Sequence, residues 1–318
     1  MSSQIGVSEL LKDDRFEGFL LVRNANSRVG STGNPYLDMM LIDKTGSINA
    51  KVWNTSQAAP EAGSVLKIRG SVTEFNGRLQ LRVEKFREAQ EEDNVDISLL
   101  VPSAPEKPED MFKEILDTVN SFSNITLKKI VLYLISKFKK NLMYFPAAQS
   151  LHHAERSGLL HHTTSMLRAA KGIMPVYPFL DRDLLLSGII LHDIGKVLEL
   201  DSDKLGNVQD YTKDGLLLGH LVRGVTLINE AARAQQIDEN DEYVILLEHM
   251  MLSHHGIPEY GSTRMPMFPE AEMLHLIDDM DASMNEMEDV MNRTPEGVFS
   301  ERIWSLERRI YHPKYRKG

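Results

Sequence analysis

The chain has 318 residues, 42% of them hydrophobic, a formal net charge of −10 and no cysteine. That length favours two domains, and the missing thiols exclude disulfides and thiolate metal sites, so any metal must be held by nitrogen and oxygen. The acidic balance argues against a protein that coats DNA by charge alone, although residues 1–88 hold 12 Lys and Arg against 10 Asp and Glu while the remainder holds 24 against 36. The opening MSSQIGVSELLKDDRFEG has no basic region followed by an apolar core, so it does not read as a signal peptide. No apolar run approaches the ~20 residues of a membrane span, and a cytoplasmic protein without a membrane partner is expected.

Residues 1–88 read as short strands. FEGFLLVRNANSRV, YLDMMLID, SINAKVW, SVLKIRGSVTEF and RLQLRVEKF alternate apolar and polar side chains, and Asn76-Gly77 marks a hairpin between the last two. In the last run Leu79, Leu81 and Val83 are expected inward, with Arg78, Gln80 and Arg82 outward. Five strands in this length suggest a small barrel, of which the OB-fold is the commonest five-stranded form. Tyr36, Lys51, Trp53, Arg69, Phe75, Arg78 and Arg82 could form a face that stacks bases and holds phosphates. The competing expectation is that the aromatics are barrel core and the cations solvated.

Residues 89–110 are acidic and contain Pro102, Pro105 and Pro108, which reads as a linker; the apolar patch Leu99–Val101 inside it could dock on a neighbour. From Met111 to the end, 111–318, the pattern is helical, with helices expected near 111–122, 125–140, 158–173, 181–192, 214–235, 241–254 and 269–291. Asp181 caps one start, Gly256 ends a helix, and Pro269 fits a first turn. The fold class is thus a β-barrel domain followed by an all-α bundle.

The histidines concentrate in that bundle: ten of the 11 lie between residues 152 and 275. His192-Asp193 ends an apolar run in LLLSGIILHDIGK. His161-His162 precede it, and His220, His254-His255 and Asp278 follow, each on or at the end of a different predicted helix. A helical bundle aims side chains from several helices into one core site, so this dispersion suggests a cluster of metal ligands.

HDIGK, preceded by GLLHHT and followed by GH, SHHG and IDDMDA, resembles the HD-domain superfamily of metal-dependent phosphohydrolases over roughly residues 145–285. The barrel-like segment, linker and helical domain together resemble the bacterial YhaM-type 3′-5′ exoribonucleases over nearly the whole chain. That resemblance implies divalent metal dependence, manganese first, with cobalt, iron, zinc or magnesium as alternatives, and hydrolysis of single-stranded RNA, or single-stranded DNA, from the 3′ end in RNA processing. It implies His162, His192, Asp193 and Asp278 as ligands of a first ion. Asp193 would bridge to a second ion held by His220, His254 and His255, and Asp281 would pack or support the ligands.

A bound divalent ion makes hydroxide available near neutral pH, so no protein nucleophile is needed. Lys196, close to the same helix end, is expected to stabilise phosphate charge, against the plainer expectation of a helix C-terminal cation. Arg223, three residues beyond His220, shares its helix face and is either a phosphate contact or a surface arginine. His249, His275, His152 and His153 read first as packed residues, with His275 as a supporting residue and His152 and His153 as substrate contacts in the alternative. The tail ERIWSLERRIYHPKYRKG mixes apolar and basic residues that could pack on a partner or contact phosphate, and the sequence admits a homo-oligomer. Two rival functions stay open: hydrolysis of a small nucleotide or cyclic dinucleotide, and nucleic-acid binding without catalysis.

Overall fold

The computed structural model describes residues 4–30, 33–148, 153–257 and 262–314, and His152 lies outside them. The chain divides into two compact units, Met1–Ser103 and Ala104–Gly318. The first holds β1 (Arg15–Val29), β2 (Pro35–Asp43), β3 (Gly46–Trp53), β4 (Val65–Phe75) and β5 (Arg78–Glu88). They close a barrel in the order β1-β2-β3-β5-β4. Every neighbouring pair is antiparallel except β3–β5. This is the five-stranded Greek-key barrel expected of an OB-fold.

Alternation explains the strands. Along β2 and β3, Leu37, Met39, Leu41, Ile48, Ala50 and Val52 turn inward while their neighbours face out. Leu81 and Val83 of β5 also enter the core, but Leu79 is 38% exposed, contrary to expectation. It lies next to the β4–β5 turn, where the barrel has no interior left to fill. Asp43 ties the entrance together: one carboxylate oxygen accepts from Thr45 N and Gly46 N, the other from Val7 N at 2.8 Å. This holds Val7 and Leu10 against the barrel core.

The stretch read as a linker is shared between the units, with residues up to Ser103 belonging to the barrel unit. Asp93 accepts from Arg87 on β5, and the Leu99 carbonyl accepts from Lys44 N at 3.1 Å. Leu100 and Val101 are buried.

The second unit is built on α1 (Pro108–Asn120), α2 (Ile125–Lys137), α3 (Lys139–Leu142), α4 (Gly158–Ile173), α5 (Arg182–Leu191), α6 (Lys196–Glu199), α7 (Lys213–Ala234), α8 (Glu242–Ser253) and α9 (Pro269–Arg293). Asp181 caps α5 by accepting from Leu184 N, and Pro269 opens α9. Helix α5 is buried from Asp183 to Leu191, as expected of a helix apolar on all sides. It packs against α2, α4, α8 and α9. None of the described helices is long and apolar enough to cross a membrane.

Two features depart from the helical expectation. Short hairpins interrupt it: β6 (Leu200–Ser202) with β7 (Val208–Tyr211), and β8 (Phe299–Ile303) with β9 (Arg308–Tyr311). Strands of three to five residues show too few alternations to register as a period. The helix expected over 214–235 is also broken at Gly219, whose φ of 71° and ψ of 169° are not helical.

Candidate metal centre and strand-binding face

The seven members of the His/Asp cluster arrive on five different helices. His162 sits one turn into α4, His192 and Asp193 at the end of α5, His220 just past the Gly219 break in α7, His254 and His255 at the end of α8, and Asp278 in the middle of α9. His162, His192, Asp193 and His254 are at most 4% exposed. All seven residues expected as ligands are brought together.

They form two groups that share Asp193. In the first, His162 Nε2 lies 3.2 Å from His192 Nε2 and 3.2 Å from Asp278 Oδ1. Asp193 Oδ2 is 3.4 Å from His192 Nε2 and 4.0 Å from His162 Nε2. In the second group, His220, His254 and His255 bring one ring nitrogen each within 4.8 Å of one another. Asp193 Oδ1 faces this group, 3.6 Å from His220 Nε2 and 3.8 Å from His254 Nε2. Asp193 Oδ1, His220 Nε2 and His254 Nε2 are buried with no hydrogen-bond partner among the described residues. Three orphaned buried polar atoms aimed at one point would be costly without a cation to meet them. The donor set therefore fits divalent metal.

The far side of each ring fixes which nitrogen faces the centre. Nδ1 of His192 meets the Ile189 carbonyl and Nδ1 of His254 the Met251 carbonyl, each at 2.9 Å. A carbonyl can only accept, so Nδ1 carries the proton and Nε2 presents its lone pair inward. Nδ1 of His162 meets Asp281 Oδ2 at 2.8 Å, and Nδ1 of His220 meets Glu199 Oε2 at 2.9 Å. Such carboxylate–imidazole pairs would orient the rings toward a metal and raise their basicity.

Charge follows geometry. Burial disfavours the charged form of Asp193, yet Lys196, His192 and His220 outweigh it and hold the carboxyl well below its usual range. Lys196 Nζ is 2.6 Å from Asp193 Oδ2. Burial opposes the Lys196 charge too, but Asp193 and Asp278 push the ammonium up. Burial, with the neighbouring His192 and His255, drives His254 well below its ordinary value and keeps it neutral. Burial also works against a charge on His162, but Asp278 and Asp281 overcome it and hold the ring up at about 9. A cation would replace the proton those carboxylates keep there.

Of the two carboxylates that orient the rings, Asp281 was expected as a supporting residue and Glu199 was not. Glu199 is six residues past Asp193 with no periodic link to His220, and only the fold joins them. Asp281 had a signal, since it is one turn beyond Asp278 on the same helix face. His153 is 4% exposed, its Nε2 2.9 Å from Asp281 Oδ2. It therefore faces the interior, as its reading as a packed residue expected, and does not take up the alternative of a substrate contact. Beyond it His161 Nδ1 is 2.9 Å from Glu155 Oε1. His275 holds the His254 carbonyl through Nδ1 at 2.9 Å, and His249 accepts from Met267 N, so both are structural. Arg223 is ion-paired to Asp214, and its Nε is buried with no partner among the described residues.

On the barrel, Tyr36 and Trp53 stack at 4.7 Å across β2–β3, where they are register partners. Lys51 Nζ lies 5.3 Å from the Tyr36 ring, 5.4 Å from Trp53 and 6.0 Å from Phe75. Trp53 is 45% and Phe75 63% exposed, so these aromatics are not core. Arg82 is the register partner of Lys51, and Arg78 that of Phe75. Arg69 is not gathered with them: it sits six residues before Phe75, roughly 20 Å along β4, and pairs with Glu84.

Residues 159–283 match the HD domain family. The barrel is similar to the second OB-fold domain of replication protein A from Methanococcus maripaludis, at 19% identity over 28% of this chain and 96% of that one, with a TM-score of 0.24. It is also similar to a replication protein A heterotrimer bound to ssDNA, at 13% identity over 30% and 71% of the two chains, TM-score 0.23. A hypothetical protein from Arabidopsis thaliana gives 19% identity over 28% and 73%, TM-score 0.24. The chain thus carries an HD domain at residues 159–283, whose His/Asp cluster can hold divalent metal, following in sequence an OB-like five-stranded barrel.

Proposed function

We propose that this chain is a metal-dependent phosphodiesterase that shortens single-stranded RNA, and single-stranded DNA as a second substrate, from the 3′ end. One observation carries the reading: four imidazole Nε2 atoms and two carboxylates converge in a buried centre, where Asp193 Oδ1, His220 Nε2 and His254 Nε2 have no hydrogen-bond partner among the described residues. The exposed aromatic and cationic face of the barrel supports a strand as substrate. The direction of cleavage rests on the resemblance to YhaM-type exoribonucleases.

His162, His192, Asp193 and Asp278 would hold one cation, and Asp193, His220, His254 and His255 a second. When bound, such ions polarise a phosphoryl oxygen and make water acidic enough to attack near neutral pH. The residues of the chain do the rest. Asp193 divides its two oxygens between the groups, which fixes their spacing. Asp281 and Glu199 keep His162 and His220 turned inward. Lys196 screens the Asp193 charge beside the scissile phosphate, and Arg223, held by its ion pair with Asp214, adds positive charge on the same helix face as His220.

The test uses a single-stranded RNA labelled at its 3′ or its 5′ end, incubated with manganese. The 3′ label should leave at once as mononucleotide, while the 5′ label stays on steadily shortening strands. Internal fragments, or no change in rate on replacing both His192 and Asp193 by alanine, would refute the proposal.

A further inference from the structure

The β8–β9 hairpin presents a surface that the metal centre and the barrel do not use. It is fixed to the end of α9: His312 Nδ1 donates to the Thr294 carbonyl at 2.6 Å, and Gly297 N donates to the His312 carbonyl at 2.7 Å. Ser300 is buried and accepts from Ile310 N, while Ser305 bonds Glu286 of α9. One face of the hairpin is therefore anchored.

The other face is open and carries one kind of chemistry. Phe299 and Tyr311 are register partners with rings 5.0 Å apart. Arg302 and Arg309 stand directly opposite each other across the hairpin. The Arg309 guanidinium lies 5.8 Å from the Phe299 ring, and that of Arg302 5.5 Å from Trp304. Phe299, Trp304 and Tyr311 are 58%, 82% and 45% exposed. Like charges set directly opposite destabilise a strand pair unless an anion lies between them. The surrounding sequence sharpens the point. Residues 104–318 hold 24 Lys and Arg against 32 Asp and Glu, yet residues 301–318 hold six against two. The last four of these lie outside the described residues.

We propose that this face is a second holding site for single-stranded nucleic acid, with phosphate between Arg302 and Arg309 and bases on Trp304 and the Phe299–Tyr311 pair. Aromatic rings accept any base, and arginine serves both phosphate and ring. The arginine-bearing face suits a polyanion better than an apolar protein partner, which would have to bury two opposed guanidinium groups. The inference rests on a strand being the substrate.

The chain has two tryptophans, Trp53 and Trp304, one on each proposed strand surface. Two single-tryptophan proteins, Trp53→Phe and Trp304→Phe, are made in an Asp193→Asn background that spares the strand, and titrated with a uridine oligonucleotide. Trp304 emission should be quenched saturably and weaken with salt, with a midpoint roughly tenfold higher in Arg302→Ala, the size of one lost stacking or cation–π contact. Unchanged Trp304 emission at concentrations that saturate Trp53 quenching would overturn this site and leave the strand reading intact. Silence from both tryptophans would overturn both. Emission that follows protein concentration and not oligonucleotide, with sedimentation as a dimer, would make the face an interface between copies and overturn the proposal.

Discussion

The centre is held by what lies behind each ligand. Asp281 and Glu199 meet the outer nitrogens of His162 and His220 and set the proton on Nδ1 of each. Replacing either by alanine should weaken manganese binding by about 10–100-fold, the usual cost of losing such support; calorimetric titration would measure it, and an unchanged affinity would contradict the role. The same network gives the metal-stripped protein a distinctive pH dependence. His162 is raised from 6.5 to about 9 in the fold, so the stability it contributes is full below pH 6.5 and is lost as pH rises through about 9. Asp278 and Asp281 are held below 3.8, so their contribution is present above that value and is lost on acidification. The melting temperature of stripped protein should therefore fall on both sides of weakly acidic pH. Manganese should restore the alkaline side most, because binding expels the His162 proton. A melting temperature of stripped protein that climbs from pH 6.5 to 9 would contradict this. The seven candidate ligands were legible in the sequence through the resemblance that HDIGK, GLLHHT, GH, SHHG and IDDMDA carry. Glu199 was not, because its link to His220 exists only where α6 packs on α7.

At the scale of elements, the break in α7 places His220. Gly219 has a backbone conformation essentially reserved for glycine, and His220 N just beyond it donates to Glu199 Oε1 at 3.1 Å. Gly195 completes the fit, since a Cβ there would stand 2.3 Å from the His220 carbonyl oxygen. Gly219→Ala should destabilise the fold by about 1–3 kcal/mol and lower manganese stoichiometry, both readable by denaturant melts and metal analysis of one preparation. The leucine run 216–218 hid this break, because periodicity passes through a glycine unaltered. The barrel strands, by contrast, were legible almost to their ends, since each offers several inward positions at period two. On their outer surface, Trp53→Ala should cost about 1–3 kcal/mol of oligonucleotide affinity, as expected for one stacked base. Fluorescence anisotropy would show it, and wild-type affinity would remove Trp53 from the strand face.

For the whole molecule, the apolar core of the barrel runs from Val7 to Val83 and that of the helical unit from Met111 to Ile277, with no residue in common. The sequence announced this division through its change of period from two to 3.6. It was silent on the last hairpin, where a bulged pair of short strands leaves no alternation to count. A fragment starting at Ala104 should keep its metal and still hydrolyse a small activated phosphodiester, but lose activity on dilute oligonucleotides. Full oligonucleotide activity in that fragment would contradict a strand-holding role for the barrel. The most direct test of the metal-dependent centre is mononucleotide release by stripped wild type and stripped Asp193→Asn, each titrated with manganese. Wild-type activity should appear only with the metal and level off near two ions per chain, while Asp193→Asn stays more than about 100-fold slower, beyond the loss seen for supporting residues. Equal rates for the two proteins, or full activity of stripped wild type in the presence of a chelator, would contradict it.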